Sequence, residues 1–184
     1  MLHHGAVIDN SLIANFLGQY KELVKMFVPD ITLGLEGKDD YSSIYRAACH
    51  ELAHASHFSK VKTGYWDNYI AYIMTSYVTS GGMTYGNGTE PNSGYCEIGE
   101  MWAYFLESVM YKDRYGGSIL SFGNSFWFYP QIFRYMNERG VSCSRILKAL
   151  DEQVHSRDML ETKLCELYPD EKSMLEQVFN RYND

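Results

Sequence analysis

Apolar side chains recur at helical spacing along most of the chain. Over residues 11–27 they return every three or four positions, which predicts an amphipathic helix. Similar patterns predict further helices over residues 42–61, 65–77, 95–112 and 126–139. Three short helices are predicted in the C-terminal segment 141–184, and residues 31–35 (ITLGL) are the best candidate for a strand. The pattern therefore indicates a mainly α fold of the α+β class, with little sheet.

Turn-forming residues separate the predicted helices. Segment 80–93 (SGGMTYGNGTEPNS) is dense in Gly, Asn and Thr, which predicts a loop, and a loop of this length is often functional. Gly140 stands where a helix C-cap is expected. Ser142 and Asp158 are candidate N-caps, and Pro169 separates the last two predicted helices.

Length and composition describe an ordinary globular protein. The 184 residues suit one domain spanning 1–184, either complete or part of a longer protein. The chain is 46% hydrophobic and 21% charged, and no apolar run has the length of a membrane-spanning segment. The net charge of −7 argues against a nucleic-acid partner, because phosphate binding needs clustered Lys and Arg. The four cysteines form no CxxC pair, which argues against a cysteine zinc site.

The candidate chemistry lies in the segment HELAHASHF, which places His50, Glu51 and His54 within one helical turn. Residues four apart share a helix face, so the two imidazoles can bind one metal ion. Glu51 is offset from both and can act as general base on a water whose pKa zinc lowers to about 7. The pattern HExxH resembles the active-site helix of zincin metallopeptidases. The resemblance implies a zincin-like core, Zn²⁺ as cofactor and peptide hydrolysis.

A catalytic zinc ion needs a third protein ligand and an open fourth position. The metzincin pattern would place a glycine at position 57 and a histidine at position 60, but this chain has His57 and Lys60. Histidines at positions 50, 54 and 57 of one straight helix would span about 10 Å, too far for one ion. His57 is therefore interpreted as a residue at the rim of the site, a support for a ligand, or a packing residue.

The third ligand is expected from a second helix, GYCEIGEMWAYFLESVMY, over residues 94–111. It resembles the helix from which gluzincins offer a glutamate to the metal, and Glu100 begins the phrase Glu-Met-Trp-Ala that carries the resemblance. Glu97 is the rival ligand, one turn earlier. The small residues Gly99 and Ala103 should allow close packing against the HExxH helix. Glu107, two turns after Glu100, can orient a ligand histidine or pair with an arginine.

A minor alternative ligand is Asp113. The phrase Asp113-Arg114-Tyr115-Gly116 resembles the aspartate ligand and following Tyr-Gly of aspzincins, but it is one residue short. The order of HELAHASHF, an aromatic segment and the Glu-Met-Trp-Ala helix also resembles zinc-dependent metallopeptidases of bacterial cell envelopes. That resemblance implies an extracytoplasmic location. Zincins usually carry a sheet before the active helix, so residues 31–35 are either a substrate-binding edge or a core strand.

Two functions are compatible with these residues. The first is a zinc metallopeptidase acting on a peptide or protein, in which a nearby Tyr or His stabilises the oxyanion. The candidates for that role are His57, Tyr95, Tyr115 and His155. The second is a non-catalytic module on a zincin scaffold that binds a glycan or a protein partner. Because only an enzyme needs a general base between the two histidines, Glu51 favours the first.

Overall fold

The computed structural model describes residues 40–83, 85–116 and 127–182, and these ranges are mainly helical with no strand. The α-helices in chain order are α1 (Tyr41–Phe58), α2 (Thr63–Thr79), α3 (Ser93–Tyr115), α4 (Gln131–Glu138), α5 (Cys143–Ala149), α6 (Arg157–Leu167) and α7 (Lys172–Phe179). A short 3₁₀ helix, Pro169–Glu171, joins the last two. The mainly helical class is thus confirmed. The predicted helix 11–27 and strand 31–35 lie outside the described residues.

Helix α1, which carries the HExxH pattern, begins at a side-chain cap. Asp40 accepts a hydrogen bond from the backbone N–H of Ser43 at 2.9 Å, as an N-cap residue does. Hydrogen bonds from the Ser42 and Ser43 hydroxyls lower the pKa of Asp40 to about 2. The carboxylate therefore remains ionised, and keeps the cap, at all ordinary pH values.

Helix α3 is the centre of the fold, since α1, α2, α4 and α6 all pack against it. The indole of Trp102 on α3 donates to the Ala53 carbonyl of α1 at 3.1 Å and lies 3.0 Å from the Ser56 hydroxyl. These bonds fix the rotation of α3 relative to the HExxH helix. Ala103 is fully buried, as close packing requires.

Gly99 faces Tyr69 of α2, whereas the sequence suggested that it allows close packing against the HExxH helix. A Cβ atom at residue 99 would lie 3.3 Å from Cε2 of Tyr69 on α2. The missing side chain thus makes room for a tyrosine of α2, and α2 can approach the same region of α3 that faces the histidines.

The helices after α3 complete the hydrophobic core. Apolar side chains of α4 to α7 pack with Trp102 and Phe105 of α3 in one cluster. The start of α3 is in close contact with the segment before α6, because a Cβ atom at Gly94 would lie only 1.9 Å from the carbonyl oxygen of His155. The C-terminal segment is therefore part of the same folded unit as the HExxH helix.

Two helix starts differ from the sequence prediction. The helix predicted from residue 126 begins at Gln131, because Pro130 has no N–H and disfavours helical backbone in the residue before it. Helix α6 is capped by Ser156, which accepts from the Met159 N–H at 3.2 Å, while Asp158 lies in the first turn. Ser142 caps α5 as predicted. None of the described helices is long and apolar enough to cross a membrane.

Candidate metal centre

Helices α1 and α3 bring three side chains together at their contact. His50 and His54 come from successive turns of α1, and Glu100 comes from α3. The two Nε2 atoms are 3.2 Å apart. Glu100 Oε2 lies 3.4 Å from His50 Nε2, and Oε1 lies 3.4 Å from His54 Nε2. All three side chains are buried, and together they form a group that can hold a metal ion.

The distances within the group fit one tetrahedral ion. Ligand atoms about 2.0–2.2 Å from such an ion lie roughly 3.3 Å from one another. The 3.2 Å between the two Nε2 atoms agrees with that spacing, and each Nε2 atom lies 3.4 Å from one oxygen of Glu100, Oε2 for His50 and Oε1 for His54. Two imidazole nitrogens and one carboxylate oxygen suit a borderline transition metal better than calcium or magnesium, which prefer oxygen alone.

The surroundings of Glu100 favour its ionised form, which can bind a cation. Burial by itself raises the pKa of Glu100, but His54 and His50 together outweigh burial and lower it well below its usual value. Burial lowers the pKa of His54, which favours the neutral imidazole that metals bind. Burial opposes protonation of His50 as well, yet Glu100 and Glu107 raise its pKa to about 9. A metal ion held here would therefore have to displace a proton from His50.

Glu107 connects His50 to an arginine. Glu107 Oε2 lies 3.2 Å from His50 Nδ1, and Oε1 accepts a hydrogen bond from Arg46 Nε at 2.7 Å. The sequence left open whether Glu107 orients a histidine or pairs with an arginine, and the geometry allows it to do both. A metal-binding histidine commonly donates its second ring N–H to a carboxylate, which fixes the tautomer. In the neutral ring, such a bond from Nδ1 would leave Nε2 to face the group.

Glu51 is buried between the two histidines along α1. Its charge acts on His54, where it favours the protonated imidazole. Glu51 is not one of the three grouped ligands.

Three tyrosines beside the group were not anticipated from the sequence. Tyr69 of α2 donates its hydroxyl proton to Glu100 Oε1. The ring of Tyr104 meets the ring of His50 edge-on, with centroids 4.6 Å apart. The hydroxyls of Tyr85 and Tyr104 lie 3.4 Å from each other. Tyr104 stands one turn after Glu100, so helical spacing could have found it, whereas Tyr69 and Tyr85 come from other segments.

His57 lies on the same face of α1 and is a packing residue. Its ring is fully buried, edge-on to Tyr65 at 4.9 Å and near Trp66 at 5.9 Å. Neither ring nitrogen has a hydrogen-bond partner among the described residues. Burial lowers the pKa of His57 to about 3, so the ring is neutral. Of the three interpretations left open by the sequence, packing fits this environment.

The other oxyanion candidates make their contacts elsewhere. The ring of Tyr95 stacks on that of His155 with centroids 4.6 Å apart. Tyr115 is 43% exposed at the end of α3, edge-on to Tyr45. Within the described part of the chain, the hydroxyls placed at the group are instead those of the three tyrosines named above.

The alternative ligands Glu97 and Asp113 are not in the group. Glu97 Oε1 lies 2.7 Å from Arg157 Nε, and burial, partly opposed by Arg157, raises the pKa of Glu97 to about 7. Asp113 is exposed near the end of α3. The arrangement thus favours Glu100 as third ligand.

A pair of variants on α3 tests that assignment. Glu100→Ala should lower metal affinity at least tenfold, since it removes one of three ligands. Glu97→Ala should lower it much less, because Glu97 pairs with Arg157 outside the group. Both affinities can be measured by competition with a chelating dye, with circular dichroism to verify folding. If Glu97→Ala loses the metal and Glu100→Ala retains it, the two roles must be exchanged.

No protein-family model, curated protein or solved structure matches this chain. The function of the group therefore has to be inferred from the chemistry of its own residues.

Proposed function

We propose that this protein is a zinc-dependent metallopeptidase with a zincin-like helical core. The single observation that carries the proposal is the group His50, His54 and Glu100, with a buried Glu51 between the two histidines. A metal site with a purely structural role would need no additional carboxylate there. Three protein ligands leave a position open for water and substrate, as a catalytic zinc ion requires.

Zinc is the metal that the donor set favours. Two histidines and one carboxylate occur in zinc peptidases, and the same ligand types also hold iron(II) in oxygenases. The 3.2 Å separation between the two imidazole Nε2 atoms matches tetrahedral coordination, which is typical of zinc. When bound, zinc would polarise the scissile carbonyl and lower the pKa of a water molecule to about 7.

The protein's own side chains would transfer the proton, orient His50 and stabilise the negative charge that develops. The carboxylate of Glu51 would accept the proton of the attacking water and later return it to the amine that leaves. Glu107 and Arg46 would hold the His50 ring in the tautomer that leaves Nε2 free. The hydroxyls of Tyr85 and Tyr104 are the proposed donors to the negative charge that develops on the carbonyl oxygen.

Removal of the metal tests the proposal directly. The purified protein should contain about one zinc ion per chain and cleave members of a mixed peptide pool, as detected by mass spectrometry. Treatment with a chelator should abolish cleavage, and added zinc should restore it. Cleavage that continues after complete metal removal would contradict the proposed mechanism. One zinc ion per chain without cleavage of any peptide would favour the binding module instead.

A further inference from the structure

Tyr69 of α2 lies against the candidate metal centre. Its side chain is buried, and its hydroxyl donates to Glu100 Oε1. The ring also packs against Trp66, with centroids 4.7 Å apart, and against His54 at 6.0 Å. The absence of a side chain at Gly99 makes room for this ring. The phenol is thus positioned from several sides, and its hydroxyl has a defined acceptor.

The two oxygens of Glu100 consequently have different environments. Oε1 accepts the Tyr69 hydroxyl, whereas Oε2 has no hydrogen-bond partner among the described residues. Oε2 is buried and lies 3.4 Å from His50 Nε2, and Oε1 lies 3.4 Å from His54 Nε2, so the Tyr69 hydroxyl is what distinguishes the two oxygens. A carboxylate oxygen that is buried without a hydrogen-bond donor is costly unless a cation binds it.

We propose that Tyr69 is a positioning residue that makes Glu100 bind the metal through Oε2 alone. A carboxylate can bind with one oxygen or with both, and binding with both would fill a second position on the ion. The hydroxyl of Tyr69 donates to Oε1 and would compete with a metal ion for that oxygen. The fourth position then stays open for water or substrate, as catalysis requires. This inference rests on the metal site of the proposed function.

The effect of the Tyr69 hydroxyl can be tested separately from that of its ring. Tyr69→Phe keeps the aromatic contacts with Trp66 and His54 and removes only the donor to Glu100. Tyr65→Phe is a matched control on the same helix. Tyr65 is also buried, and its hydroxyl donates to the carbonyl oxygen of Val154 at 3.2 Å, not to a member of the group. Both variants therefore lose one buried hydrogen bond.

The experiment replaces the native metal with cobalt(II), whose visible absorption reports coordination number. Four-coordinate cobalt absorbs more strongly than five-coordinate cobalt. The parent and Tyr65→Phe should give the strong four-coordinate spectrum. Tyr69→Phe should give a weaker, five-coordinate spectrum, because Oε1 is then free to bind. Its cobalt affinity should also fall by about 10- to 100-fold, as is typical when a residue supporting a metal ligand is removed.

An unchanged spectrum in Tyr69→Phe would overturn the inference, whether or not the affinity changes. A change in affinity alone would mean that Tyr69 supports the fold of the site without setting how Glu100 binds. Equal spectral changes in Tyr65→Phe and Tyr69→Phe would overturn it too. These outcomes differ from failure of the proposed function, in which the parent binds no metal or cleaves no peptide.

Discussion

Replacing His50 or His54 by alanine is expected to abolish metal binding. The parent should hold about one ion per chain, and each variant should fall to background, because a three-ligand site loses an imidazole that no neighbour replaces. Within the described part of the chain, no other group of His, Cys, Asp and Glu side chains could hold a metal ion. Mass spectrometric metal analysis after gel filtration measures the content directly.

His57→Leu is the matched control for the two histidine variants. His57 lies on the same helix face and is fully buried, but its ring nitrogens have no hydrogen-bond partner among the described residues. An apolar side chain of similar size should be tolerated there, and metal content should stay at the parent value. Circular dichroism verifies that all three variants fold. If His50→Ala and His54→Ala both retain full metal, the interpretation of HExxH as a metal site is wrong.

Much of the helical fold could be predicted because it depends on local pattern. Apolar spacing located the HExxH helix and α3 to within about three residues at most ends, and Ser142 was recognised as a cap. The start of α4 was misplaced although Pro130 is visible in the sequence. There the apolar pattern continues from residue 126 through the proline, and apolar spacing alone does not reflect the missing N–H.

The contacts around the candidate metal centre were harder to predict. His50 and His54 share one helix, so their spacing alone brings them together. A resemblance favours Glu100 over Glu97, but local spacing does not distinguish them because both lie on buried turns of α3. What separates them is the rotation of α3 about its axis. That rotation depends on tertiary contacts such as the Trp102 hydrogen bonds to α1.

The contacts of the tyrosines are even harder to predict from local sequence pattern. The chain has 16 tyrosines, and periodicity predicts which helix each occupies but not which one reaches Glu100. Tyr69 reaches it because α2 packs on α3 where Gly99 leaves space. Tyr85 reaches Tyr104 because its loop is held by hydrogen bonds from Tyr72 and Trp127 to the Tyr85 carbonyl. Both placements depend on segments that are distant in sequence.

Replacing Glu51 by glutamine is expected to separate catalysis from metal binding. Glutamine keeps the size of the side chain but cannot accept a proton from water. General-base catalysis typically contributes 10²–10⁴-fold, so peptide cleavage should fall at least about a hundredfold. Metal content should remain near one ion per chain, because Glu51 is not one of the grouped ligands. Initial rates on a peptide identified from the pool, together with metal analysis, measure both quantities.

A control for this variant is Glu97→Gln, which changes another buried carboxylate in the same way. Burial already raises the pKa of Glu97 to about 7, so the uncharged amide resembles a form that is populated at neutral pH. Its activity should stay close to that of the parent. Cleavage by Glu51→Gln at the parent rate, with the metal still bound, would rule out Glu51 as the base. If the variant instead binds peptides without cleaving them, binding and proton transfer depend on different residues. The variant can then be used to capture the natural substrate.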